Sequence, residues 1–592
     1  MDLRRLWRLA TAGILGAVAG TLLLAALNTP TLKLLIGVLI VVCAAGLLTG
    51  VRVPLAREER AHVPVGLTSG VLQGCTGMGG PPMVLLLVNQ DASKTRTRAD
   101  LTVIFALVSV AAVVSQFTHG LITREVLRYT VWMTPVTIGG TLLGAKWADR
   151  CDPVVFRRIV LILILATGAA TVVTAIQRPL ANPRSPHERL AIDGGLPMIT
   201  DPVPQPARWG EAERRQLAAA IDQPSLFYWN GPQTKLLTER FREAYPFQYV
   251  MPCSSGTAAL HIAVAAAGLK PGDEVITSPI TDMGTVIGIL YQQGVPVFAD
   301  LEPHRYTLDI ADVRRKITPR TRAILAVHLA GNPSRLAELR ELADQHDLVL
   351  IEDCAQAWGA QYRQKPVGML GHLGCYSLND FKHIGCGDGG IVASNDERFG
   401  PLLQRFGDKR YDRATGMRDP EFLAPNYRIS ELQSAVAVVQ LTRLEEIAAK
   451  RARLGGLLTE QLAGIDAVQP HEVDSRYRCS YWFYLLRLKL DALTCDRKTF
   501  VKALQAEGVP VSEGYIAAPL YRYPVFQNRS FFASQWPVHA LGLTKMDYRQ
   551  ARCEEAEAIL ATSVRVSLNE AMDESYVRKM AEAIRMVAEH YA

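Results

Sequence analysis

Two patterns of apolar residues divide the chain. Long apolar runs cover about 9–27, 32–50, 64–88, 101–118, 129–148 and 154–176. Most approach the roughly 20 residues that carry a helix across a bilayer. Gly74-Cys75-Thr76-Gly77-Met78-Gly79-Gly80-Pro81-Pro82 interrupts the third run. In a membrane such a break survives only where it is buried in protein or lines a cavity. These runs predict an all-α transmembrane bundle over 1–177. Residues 178–206 contain seven prolines and read as a linker.

From about 207 the apolar runs shorten. Val275-Ile276-Thr277, Val295-Pro296-Val297-Phe298, Ala323-Ile324-Leu325-Ala326-Val327 and Leu348-Val349-Leu350-Ile351 alternate with helix-like stretches. That alternation predicts βαβ units and a mostly parallel sheet in a large domain over 207–440. Helical periodicity resumes over about 430–462, a strand is expected from Tyr481 to Leu488, and a closing helix near 574–591. Residues 441–592 thus read as a smaller C-terminal α+β domain, which makes the chain multi-domain.

Composition changes this picture in two places. The net charge of +7 is spread along the chain without a basic block, which excludes nucleic acid as an expected partner. The ten cysteines include no CxxC pair and no His/Cys ligand spacing. That usage fits a reducing compartment and speaks against a disulfide scaffold or a metal site. Basic residues between Met1 and Arg8 precede an apolar run as in a signal peptide, but the further apolar segments favour a membrane anchor. With six spans and the first residue inside, Lys and Arg divide eleven inside against eight outside, a weak bias in orientation.

The candidate chemistry centres on Lys382, in Ser377-Leu378-Asn379-Asp380-Phe381-Lys382 ahead of Gly385-Cys386-Gly387-Asp388-Gly389-Gly390. Upstream, the apolar run at 348–351 ends in Glu352-Asp353, and further upstream lies Ser254-Ser255-Gly256-Thr257-Ala258-Ala259-Leu260-His261. A lysine, a carboxylate at a strand's C-terminal end and a small-residue turn opening a helix are what pyridoxal phosphate (PLP) chemistry needs. The lysine forms a Schiff base, the carboxylate keeps the pyridine nitrogen protonated, and the helix start receives the phosphate. Singly, each has a plain structural explanation: a surface lysine, a capping aspartate, an N-cap serine. Their order and spacing carry the signal.

From about 190 to its end the chain resembles the DegT/DnrJ/StrS sugar aminotransferase family, a branch of the fold type I PLP enzymes. The matching stretches are Ser255 to His261, Pro271-Gly272-Asp273-Glu274-Val275-Ile276, Glu352-Asp353-Cys354-Ala355-Gln356, Ser377 to Gly390, and Asn426-Tyr427-Arg428-Ile429-Ser430-Glu431-Leu432-Gln433. The resemblance implies a type I fold with Lys382 as the Schiff-base lysine and Asp353 as the partner of the ring nitrogen. It implies Gln356 against the ring near its 3′-oxygen, and Gly256, Thr257 and Ser377 at the phosphate. Asn426 would reach the phosphate of a neighbouring subunit's cofactor, which implies a homodimer. The implied reaction moves an amino group from glutamate or glutamine to a keto-sugar, nucleotide-linked, or to a cyclitol ketone. The chain departs from the family pattern at Asp282, where an aromatic residue usually covers the ring, and at Tyr521, where a histidine is common in a substrate-side motif.

Residues 64–120 resemble the TauE/SafE sulfite exporter family through Gly70, Gly74, Gly77-Met78-Gly79-Gly80-Pro81-Pro82 and the apolar stretch after them. Only one glycine–proline break is present where that family carries two. Either the segment transports an anion at a broken-helix terminus, or its glycines serve close helix packing in an anchor. The leading expectation is a membrane-tethered aminotransferase, multi-pass in the cell membrane with its catalytic part in the cytoplasm. The alternative is an anion transporter carrying a PLP-fold sensing module.

Overall fold

The computed structural model describes residues 3–26, 58–76, 79, 94–118, 130, 134–135, 189–533 and 535–592. The chain separates into two units, Met1–Ser185 and Pro186–Ala592.

In the first unit the described elements are three long helices, Leu3–Ala26, Glu58–Thr76 and Lys94–Thr118. Small residues line the contact between the first two. Gly13, Gly16, Ala17 and Gly20 face Gly66, Gly70 and Gly74, and a Cβ on Gly66 would stand 2.7 Å from the Leu9 carbonyl oxygen. Backbones pack this closely only where side chains are absent. Leu9, Ala17, Ile104, Val108 and Ala112 form the buried centre. Among the described residues no helix is long and apolar enough to cross a membrane. Of the expected transmembrane bundle, the structure therefore supports helices and their packing. The expected spans 32–50, 129–148 and 154–176 lie outside the described residues, apart from isolated positions in the second of them.

The second unit is built on a seven-stranded sheet. Its strands are β1 (Tyr249–Cys253), β2 (Glu274–Thr277), β3 (Val295–Phe298), β4 (Thr321–Val327) and β5 (Val349–Asp353). After a short hairpin, β6 (Gln361–Tyr362) and β7 (Lys365–Pro366), come β8 (Leu373–Ser377) and β9 (Gly390–Ser394). The order is β1-β9-β8-β5-β4-β2-β3. Strands β8, β5, β4, β2 and β3 are parallel, and β9 runs antiparallel between β1 and β8. Nearly every residue of these strands is buried, which is why they read as continuous apolar runs. The four runs named from the sequence correspond to β2–β5.

A second sheet, β10 (Val468–Gln469), β12 (Tyr484–Leu488), β14 (Ser563–Val566) and β13 (Val511–Ser512), builds the smaller lobe. Strand β11 (Tyr477–Arg478) pairs with β6 instead. One face of the small-lobe sheet packs on helices Leu444–Leu462, Arg497–Ala506 and Glu574–Tyr591 through Tyr484, Leu486, Val564 and Val566. Phe483 and Leu485 belong to the core of the large domain. The periodic stretch 430–462 is two helices, Glu431–Leu441 and Leu444–Leu462. From Arg189 onward the proline-rich stretch lies on the small lobe. Leu190 and Ile199 are buried there, and the Glu507 carboxylate accepts hydrogen bonds from the Ala191 and Met198 N–H groups at 2.5 and 3.0 Å.

Candidate active site

Sheet register brings the separate motifs together. Cys253 pairs with Gly390, and Ser377 pairs with the same Gly390. The turn after β1 and the end of β8 therefore sit side by side. Asp353 ends β5, the next strand along, in register with Cys375. This edge holds the C-terminal ends of the parallel strands, where open α/β sheets bind ligands.

The turn opens helix Gly256–Ala266, whose N-cap Ser255 accepts a hydrogen bond from the Ala258 N–H at 3.0 Å. A Cβ on Gly256 would stand 2.7 Å from Ser377 Cβ and 3.0 Å from its Oγ. Glycine is required there by the close approach of β8. Thr257 Oγ1 lies in turn against Gly284, 2.6 Å from the place of a Cβ. Gly256, Thr257 and Ser377 thus form one cradle at a helix N-terminus, whose first N–H groups have no partner inside the helix.

Asp353 is buried. Its Oδ2 accepts from the Thr285 hydroxyl at 2.8 Å and its Oδ1 from the Ala355 N–H at 3.0 Å. Burial pushes its carboxyl above the ordinary range, against these two hydrogen bonds and the charges of Lys382 and His328. Lys382 is shifted the opposite way. Burial lowers its ammonium below the ordinary lysine range, opposed by the charges of Asp353 and Asp282. Its Nζ stands 3.8 Å from the centre of the Trp482 ring. The lysine loop is held by its backbone: Arg208 donates to the Lys382 carbonyl at 2.6 Å and Trp482 Nε1 to the Phe381 carbonyl at 2.7 Å.

Gln356 is buried, its Oε1 accepting from the Ala330 N–H at 2.9 Å and its Nε2 donating to the Tyr515 hydroxyl at 3.2 Å. Asn426 stands apart from this group, exposed on the segment between Asp408 and Ser430, where its Oδ1 accepts from the Arg428 N–H at 3.4 Å. The next residue adjoins the phosphate-type turn, since the Ser254 N–H donates to the Tyr427 carbonyl at 2.8 Å.

Two departures from the family pattern acquire structural roles. Asp282 closes the turn that precedes helix Gly284–Tyr291 by accepting from the Gly284 N–H at 2.8 Å, and the aromatic ring beside the lysine is Trp482. Tyr521 is fully buried, its hydroxyl donating to Glu557 at 2.7 Å and accepting from the Cys553 N–H at 3.0 Å. It belongs to the core rather than to a substrate wall. Thr285, Trp482, Tyr515 and Arg208 were not singled out from the sequence. Only Thr285 left a trace, four residues after Thr281 at the start of an apolar helix.

A buried cluster of His328, Glu352 and Cys354 has the composition of a metal site. Its hydrogen bonds are already complete. Glu352 accepts from His328 Nε2 and from the Gly368, Leu370 and Gly371 N–H groups, while His328 Nδ1 accepts from the Ser334 N–H. It serves as a brace beneath β5.

A half-buried lysine whose amine has no hydrogen-bond partner among the described residues, a buried carboxylate at a strand end and a glycine cradle together suit a PLP molecule, and known proteins agree. Residues 209–585 match the model of the DegT/DnrJ/EryC1/StrS aminotransferase family. The chain belongs to that family. It is a PLP-dependent aminotransferase with a type I fold. Residues 1–171 match the sulfite exporter TauE/SafE model, a family of membrane transporters. A putative L-glutamine:3-amino-2,3-dideoxy-scyllo-inosose aminotransferase of Micromonospora echinospora is 33% identical over 59% of this chain and 84% of its own length. GDP-perosamine synthase of Caulobacter vibrioides is 36% identical over 51% of this chain and 83% of its own. Among solved structures, an aminotransferase from Psychrobacter cryohalolentis superposes with a TM-score of 0.59 at 25% identity, over 66% of this chain and 99% of that one. 3-Amino-5-hydroxybenzoic acid synthase superposes with a TM-score of 0.57 at 26% identity, over 66% and 100%.

Proposed function

We propose that this aminotransferase is tethered to a membrane by its first 177 residues and moves an amino group from glutamate or glutamine to a keto-sugar, nucleotide-linked, or to a cyclitol ketone. The observation that carries the reading is the Lys382 amine at the Trp482 ring with the buried Asp353 carboxylate charge acting on it. PLP, when bound, supplies an electron sink through its protonated ring. Lys382 holds the cofactor's aldehyde carbon and, once free, carries the proton at the substrate carbon that bears nitrogen. The lowered basicity of its amine suits that exchange near neutral pH. Asp353, fixed by Thr285 and the Ala355 N–H, keeps the ring nitrogen protonated. Gly256, Thr257 and Ser377 bind the phosphate, and Gln356 lies against the ring near its 3′-oxygen. Asn426 reaches the cofactor phosphate of a second copy, so the enzyme works as a homodimer.

The substrate class rests on the relatives, which include proteins named for cyclitol and sugar amination. Small metabolites and unbridged cysteines among the described residues support a cytoplasmic catalytic part. The test is Lys382→Ala: transamination and the visible absorbance of bound cofactor both disappear, and retention of both in the purified variant would overturn the assignment. The transporter reading draws on the TauE/SafE match, and an anion-flux measurement in proteoliposomes separates the two.

A further inference from the structure

The turn that carries Asp282 is tied to the floor of the site. Thr281 Oγ1 lies 2.7 Å from Thr285 Oγ1, and the Thr285 hydroxyl donates to Asp353 at 2.8 Å. The Pro279 carbonyl, three residues before Asp282, accepts from the Leu520 N–H at 2.9 Å. That bond brings the segment after β13, with Tyr515 and Tyr523, against the turn. The charge of Asp282 reaches each of these neighbours. Burial and then Asp282 raise the Tyr523 hydroxyl. Burial, Asp282 and Asp353 raise the Tyr515 hydroxyl, with Arg565 opposing. At Lys382, Asp353 and Asp282 together oppose the effect of burial.

One oxygen of Asp282 is occupied and the other is open. Oδ1 accepts from the Gly284 N–H at 2.8 Å. Among the described residues Oδ2 accepts no hydrogen bond, and the exposed carboxylate forms no ion pair. Lys382 and Asp353 are committed to the cofactor in the reading above, which leaves Asp282 as a negative charge without a cation. Aromatic rings stand near it. Phe483 stacks on Tyr515 at 5.0 Å, and Trp482 meets Tyr515 edge-on at 5.9 Å. The Trp482 face already receives one amine, Lys382 Nζ at 3.8 Å from its centre. A carboxylate only accepts hydrogen bonds. Beside electron-rich ring faces it makes a setting for an ammonium group. The same charge repels a phosphate or a second carboxylate.

We propose that Asp282 receives an ammonium group on the acceptor, which is a cyclitol ketone already bearing one amine. The proposal rests on the aminotransferase reading above and narrows its acceptor, since a nucleotide-linked sugar would bring phosphate charge to the same mouth. It also gives the departure at this position a chemical purpose. An aromatic side chain there would offer an ammonium group no charge-assisted hydrogen bond.

The experiment compares full-length wild type with Asp282→Asn, which loses the charge and keeps an oxygen for the Gly284 N–H. Conversion of the PLP-loaded wild type by L-glutamate or L-glutamine, followed by cofactor absorbance, tests the aminotransferase reading itself. Its absence would overturn that reading. Two acceptors are then compared: 3-amino-2,3-dideoxy-scyllo-inosose, for which a relative is named, and 2-deoxy-scyllo-inosose, which carries a hydroxyl in place of the amine. Wild type should prefer the amine-bearing ketone about tenfold in kcat/KM, and Asp282→Asn should lose that preference. Binding needs no turnover to be read. By calorimetry, 2-deoxystreptamine should bind enzyme loaded with pyridoxamine phosphate, with a Kd about tenfold weaker in Asp282→Asn. An unchanged Kd would overturn the proposal, as would equal losses with both acceptors or turnover of neither by wild type.

Discussion

At the scale of single residues, the site is defined by what its neighbours leave no room for. Gly256 is the clearest case, since a methyl group there would press on Ser377 at 2.7 Å and one of the two would have to move. Gly256→Ala is expected to weaken PLP binding at least tenfold, read by cofactor titration of the apoprotein. Folding should suffer less, because the strain falls on the cradle. Lys382 and Asp353 illustrate the electrostatics. Each is pushed towards its neutral form by burial and pulled back by the other's charge. Motif order made these residues legible in the sequence. Trp482 and Tyr515 were not legible, because they arrive from the small lobe, and their sequence neighbours carry no chemistry that would mark them.

At the scale of elements, β2 to β5 could be read from their apolar runs because both faces of each strand are buried. Strands β8 and β9 were hidden. Leu373-Gly374-Cys375-Tyr376-Ser377 and Gly390-Ile391-Val392-Ala393-Ser394 mix glycine and serine with apolar residues, a composition that strand propensity alone does not favour. Their burial is imposed by the sheet around them. The same burial gives the fold a dependence on pH. His372 is held down to about 4 chiefly by burial, and its Nδ1 accepts from the Leu350 N–H of β5 at 2.9 Å. His261, also held down to about 4 by burial, is enclosed by Tyr427 and Gln292 at 2.8 Å each. Between pH 6.5 and 4 the unfolded chain takes up protons that the folded protein refuses. Stability is therefore full above pH 6.5 and falls as the pH drops, by up to about 3 kcal/mol per histidine. Melting followed by tryptophan fluorescence should show the midpoint falling across that window. His372→Asn, which keeps an acceptor for Leu350, should reduce the fall.

At the scale of the whole molecule, one chain joins a region matching a membrane-transport family to a region matching an aminotransferase family. The catalytic unit extends beyond the family pattern. Arg208, one residue before the matched span, holds the Lys382 carbonyl, and its own carbonyl accepts from Gln440 and Arg443. Membrane tethering predicts that the full-length protein sediments with membranes and needs detergent for release. A protein spanning Pro186–Ala592 should stay in the supernatant with its cofactor bound. Western blotting of fractionated cells expressing each would decide, and full-length protein in the supernatant would refute the tether.

The glycine faces of the first two helices have an evolutionary consequence. Gly16, Gly20, Gly70 and Gly74 each oppose backbone of the other helix rather than a side chain that could turn aside. Glycine is the smallest residue, so every substitution at these positions is an enlargement. Trimming a side chain on the opposing strip brings no compensation, because the atoms that meet these glycines are backbone atoms. This seam can drift only if the helices first move apart, so its sequence should change more slowly than the apolar surface on their outer sides.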